Sequence, residues 1–115
     1  MVRSLTDERF HLDHIRARSS GLETSDDAVV FAKPCWYLGA TLRKTAGEAG
    51  YISIYDSPDS TLTGDKQVDT LSCSDANDKK MSVCHILEEP VWCSKGIFVA
   101  CNQYQYMGWL VWYAY

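Results

Sequence analysis

A basic stripe, a glycine-rich phosphate loop, a G-x-S-x-G elbow and a C-x-x-C pair are all missing from this 115-residue sequence. Each absence removes a class of function. The net charge is −4 and unevenly placed: Arg3, Arg9, Arg16 and Arg18 balance Asp7, Glu8, Asp13 and Glu23, so the excess negative charge lies in residues 24–115. Without clustered lysine or arginine to neutralise phosphates, nucleic-acid binding is disfavoured and protein or glycan partners are expected. Without a phosphate loop, nucleophile elbow or paired-acid signature, no reaction class is indicated, and neither a catalytic residue nor a cofactor is assigned.

The N-terminus MVRSLTDERFH has no apolar run of the secretory kind. The five cysteines, Cys35, Cys73, Cys84, Cys93 and Cys101, are therefore expected as thiols in a reducing compartment. Most sit inside apolar runs, where they read as small buried hydrophobes and not as metal ligands. Gly96 to Tyr115 has no charged side chain for twenty residues, but Asn102, Gln103 and Gln105 interrupt it and Gly108 weakens a helix. Its Tyr and Trp content suits strands, so no membrane span is expected.

What is present is a series of short β-prone runs separated by turn clusters. The runs are 28–32, 35–44, 51–55, 66–73, 81–87, 96–101 and 104–115, with a short piece at 91–93. Their number and spacing predict an all-β domain over 26–115, a jelly-roll or Greek-key β-sandwich of about seven to eight strands. Alternation places Trp36, Leu38, Ala40 and Leu42 on one face of their run and Tyr37, Thr41 and Arg43 on the other. Ile52 and Ile54, and then Ile97, Val99 and Cys101, repeat the pattern. The connections carry Gly47, Gly50, Pro58, Gly64 and the stretch 74–78, all turn-favouring.

Residues 1–25 differ. Phe10 and Leu12 alternate with His11 and Asp13 without a helical stripe, and RARSSGLETSDD reads as a linker. The segment is expected to be an extended N-terminal arm that binds a partner through Leu5, Phe10, Leu12 and Ile15, or else a disordered tail.

Cys84-His85 is the one adjacent thiol and imidazole pair, yet consecutive strand residues face opposite ways, so a buried cysteine beside a surface or satisfied histidine is expected. His11 and His14 lack a third metal ligand, and Asp56, Asp59, Asp75 and Asp78 are turn formers; no metal site is assigned. The last run is the distinctive one. Tyr104, Tyr106, Leu110 and Trp112 alternate with Met107, Trp109, Val111, Tyr113 and Tyr115, so both faces are apolar. Neighbouring subunits would cover the second face, which makes Tyr104, Tyr106, Trp109, Trp112, Tyr113 and Tyr115 a candidate oligomer interface. The arm folding back, or plain core packing, would serve too. Trp92, beside Glu88-Glu89-Pro90, is placed to stack on a ligand such as a sugar ring.

The segments YISIYDSPDSTLTGDKQVDTL and KGIFVACNQYQYMGWLVWYAY, in their order along residues 28–115, resemble the small β-sandwich proteins of tailed bacteriophage particles, above all capsid decoration or cement proteins. The resemblance is one of strand and turn order. It implies a non-enzymatic virion protein, assembled in the host cytoplasm, that binds the major capsid protein or another virion protein. It also implies a homotrimer or other small oligomer, with the arm reaching across coat subunits. The five cysteines and the aromatic last run depart from the pattern. A receptor- or glycan-binding head or tail fibre module is the alternative.

Overall fold

A computed structural model of the chain describes residues 17–21, 27–44, 49–62, 64–73, 81–102 and 107–115. These hold eight strands and no helix: β1 Ala17–Ser19, β2 Asp27–Phe31, β3 Cys35–Lys44, β4 Gly50–Asp56, β5 Lys66–Cys73, β6 Met81–Cys93, β7 Ile97–Cys101 and β8 Met107–Ala114. Two four-stranded sheets pack face to face, β1-β8-β3-β6 (sheet A) and β2-β7-β4-β5 (sheet B). All pairings are antiparallel, and β1 pairs with β8, β2 with β7, β3 with β6 and β4 with β5. The chain is thus a long hairpin, turned between β4 and β5, whose two legs roll up together. That connectivity is the jelly roll.

The core lies between the sheets. Tyr37, Ala40 and Leu42 of β3, Ile52 and Ile54 of β4, Leu71 of β5, Ile97 and Val99 of β7, and Met107, Trp109 and Val111 of β8 fill it. Full burial of each larger aliphatic side chain contributes ~1.5–3 kcal/mol. Cys35, Cys73, Cys93 and Cys101 are buried here too, as expected, but Cys84 is exposed, which corrects the expectation of a buried thiol.

Two further expectations are corrected. First, the sandwich begins inside the supposed arm. Arg18 and Ser19 of β1 lie opposite Tyr113 and Trp112, the Ser20 amide donates to the Val111 carbonyl at 2.9 Å, and the Val111 amide donates to Ser20 Oγ at 2.8 Å. Leu5, Phe10, Leu12 and Ile15 lie outside the described residues. Second, the alternation of β3 is broken. The register slips at Leu38 against β8, and against β6 it jumps from Val91 to Ile86, leaving four β6 residues opposite that one position. The inward set is therefore Cys35 and Tyr37, then Ala40, Leu42 and Lys44, and Trp36 faces outward. Gly39 is required at this bulge: its φ is +148°, and a Cβ there would collide with the His85 carbonyl oxygen.

One end of the sandwich is tied by Asp56. Its carboxylate accepts from the backbone amides of Ser94 (3.1 Å), Lys95 (2.8 Å) and Gly96 (3.3 Å), capturing the β6–β7 turn. Lys95 Nζ also reaches Asp65, and Ser57 Oγ donates to the Asp59 carbonyl at 2.7 Å in the β4–β5 connection.

Candidate interaction face

The register assembles an apolar surface on the outside of sheet A. Three cross-strand rows cover it: Ala114, Trp36 and Trp92; Trp112, Gly39 and Ile86; Leu110, Thr41 and Cys84. Because Cys35, Tyr37, Val111 and Cys93 point into the core, their neighbours Trp36, Trp112 and Trp92 point out. Three of the four tryptophans of the chain thus share one exterior face. Trp36 and Trp92 meet edge to face with ring centroids 4.8 Å apart. Trp92 remains 49% exposed and Ile86 59% exposed.

Side chains this large are normally buried, and a contiguous group of them on a sheet exterior marks a binding surface. The edges of sheet A are less suited to a partner. β1 is only three residues long, and β6 carries the Glu88-Glu89-Pro90 excursion, so neither presents a long flat ladder of unpaired amides. On sheet A the face, and not an edge, is the available surface.

The predicted site residues separate into four groups. Trp92 and Trp112 lie on this face. Trp109 does not: its ring is fully buried between the sheets, with an indole N–H that finds no acceptor among the described residues, so its assignment to an oligomer interface is overturned. An inward Trp on a central strand belongs to the core. Tyr113 and Tyr115 sit at the β1/β2 flank, where Tyr113 lies 5.2 Å from Phe31, Tyr115 stacks on Phe31 at 4.5 Å, and the Arg18 guanidinium lies 4.5 Å over the Tyr115 ring. Tyr104 and Tyr106 lie outside the described residues. Sequence reasoning missed Trp36 and Ile86. Gly39 within a strand run and Pro90 beside another were the available signals, because both mark bulges that reverse faces.

The Cys84-His85 pair diverges. Cys84 lies on the outer face, where Thr41 Oγ1 is 3.5 Å from its sulfur, while His85 Nδ1 is 2.8 Å from Asp69 Oδ2 at the β5/β6 flank. The same oxygen accepts the Tyr37 hydroxyl at 2.6 Å. An ionised carboxylate can only accept, so Nδ1 of His85 carries the proton in this contact. Burial, followed by the hydrogen bond to Asp69, pushes the Tyr37 phenol well above its ordinary range, which makes it a poor nucleophile. A shallow cleft of about 320 Å³, lined by Ala49, Gly50, Tyr51, Ser72, Cys73 and Asn102, offers a thiol that burial holds protonated. Among the described residues no three potential metal ligands cluster, and no helix is long and apolar enough to cross a membrane.

No protein-family model matches the chain, and neither a curated protein nor a solved structure is significantly similar to it.

Proposed function

We propose that this chain is a non-enzymatic virion protein that binds and stabilises a phage capsid surface, as a decoration or cement protein does, and that the outer face of sheet A is where it docks. The observation that carries the reading is the cluster of Trp36, Trp92, Trp112, Leu110 and Ile86 on that exterior. Viral capsid domains, lectins and cupins all use the jelly roll, so the fold alone does not choose among them. An apolar face rich in tryptophan favours burial against protein, because aromatic anchors dominate the energy of such interfaces. The partner is the major capsid protein or another virion protein, engaged by a homotrimer or other small oligomer.

Co-sedimentation with purified capsids tests this. Ile86→Asp with Trp92→Ala is expected to weaken binding by at least tenfold while far-UV circular dichroism stays unchanged; undiminished binding by that folded variant would sink the reading. The exposed indole of Trp92, propped edge-on by Trp36, favours a second reading as a glycan-binding fibre module. Under it, sugars would shift the tryptophan emission and Trp92→Ala would abolish the shift.

A further inference from the structure

The last residue pair of the β3–β6 ladder is Cys35 opposite Cys93. Both side chains point inward and are fully buried. We propose that Cys35 and Cys93 are an oxidisable pair, a site for reversible disulfide formation with a low-molecular-weight disulfide as oxidant. The inference is independent of the capsid reading.

The geometry comes from the register. Directly opposed residues of an antiparallel pair have Cα atoms ~4.5–5.5 Å apart, within the ~4.4–6.8 Å that disulfides span. Their Cβ atoms need to close by ~1 Å, a small adjustment at a ladder's end. Burial, and after it the charge of Asp56, pushes both thiols up, and Cys35 acts on Cys93 in the same direction.

Access comes from position. Cys35 opens β3 directly after the exposed Ala32-Lys33-Pro34 turn, and Cys93 closes β6 directly before exposed Ser94 and Lys95. A local opening at that end of the ladder, which releases the Asp56 clamp on the β6–β7 turn, brings both thiols to water without global unfolding. Once exposed in this way, a thiol regains an ordinary pKa of ~8.5 and becomes reactive. The Cys93 thiolate then attacks one sulfur of the oxidant, forming a mixed disulfide and releasing one thiolate. The Cys35 thiolate attacks the Cys93 sulfur and releases the second. The pair loses two electrons and two protons, and one molecule of the oxidant is reduced to two thiols.

The crosslink would lock the end of an edge strand and close the chain segment from 35 to 93, which restricts the unfolded state. In reducing surroundings the site stays open; in oxidising surroundings it closes.

The test uses full-length Cys84→Ser protein, since Cys84 is exposed and would take up the oxidant by itself. Incubation with cystamine, denaturation, alkylation and mass spectrometry should show the thiol count falling from four to two, with a peptide joining Cys35 to Cys93. The oxidised protein should melt ~10 °C or more higher, and dithiothreitol should reverse the gain. Four persisting thiols, a crosslink between other cysteines, or a lower melting temperature would overturn the proposal. Cys93→Ala in the same background should keep three thiols; loss of any to a crosslink would also overturn it.

Discussion

On the flank of β1 and β2, Phe31, Tyr113, Tyr115 and Arg18 bridge the two sheets through ring stacking and a cation over an aromatic face. On the flank of β5 and β6, a single carboxylate oxygen of Asp69 takes contacts from both Tyr37 and His85. The first closure depends on area and tolerates small shifts, because dispersion and apolar burial have little directionality. The second depends on direction and on complete pairing. If Asp69 is removed, the buried Tyr37 hydroxyl is left desolvated without a partner, which costs more than the net strength of the bond. The polar flank is therefore the more fragile of the two, and the more sensitive to pH.

Alkali should produce the largest difference between them. Burial holds the thiol of Cys35 up to about 11 and that of Cys93 up to about 12, and the Tyr37 phenol is raised as well. These groups bind their protons more tightly folded than unfolded. Their stabilisation is complete below the unfolded values, ~8.5 for Cys and ~10 for Tyr, and is lost as pH climbs through and beyond them. Urea midpoints measured from pH 8 to pH 11 should fall steadily, and Tyr37→Phe should flatten the part above pH 10. An unchanged slope in that variant would remove Tyr37 from the account.

Asp69→Ala comes next, at ~2–3 kcal/mol of unfolding free energy, because it strands the buried Tyr37 hydroxyl. Asp69→Asn keeps an acceptor and should cost about half as much. Equal losses would mean that the charge, and not the hydrogen bonding, closes this flank. Across the molecule, Phe31→Ala should cost ~1–2 kcal/mol, less than truncation of a fully buried ring, and 1 M salt should leave that loss unchanged. Tyr115→Ala is the smallest change, ~0.5–1 kcal/mol, since the ring is half exposed and its two ring contacts, to Phe31 and Tyr113, and one cation contact lie at the surface. If it exceeds Asp69→Ala in chemical denaturation, the contrast between the flanks is wrong.

Much of this architecture was legible in the sequence. Cys35–Lys44 and Lys66–Cys73 form strands over the spans their composition predicts, and Ile52, Ile54, Ile97 and Val99 face inward as their alternation requires. The three-residue β1 was not legible, because it is held by the β8 ladder and Ser20 and not by any preference of its own. Nor was the candidate site. Alternation put Trp36 on the same face as Ala40 and Leu42, and Trp109 was a candidate for an interface; the structure turns Trp36 outward and buries Trp109.

The sequence by itself determined most of the strands and that they form a β-sandwich, because period-two alternation and turn chemistry are local properties of the chain; the long-range pairings made it a jelly roll. Only the tertiary structure decided which tryptophans meet solvent. The slip at Leu38 depends on the four β6 residues lying across from it, and one residue of slip turns every later side chain to the other face.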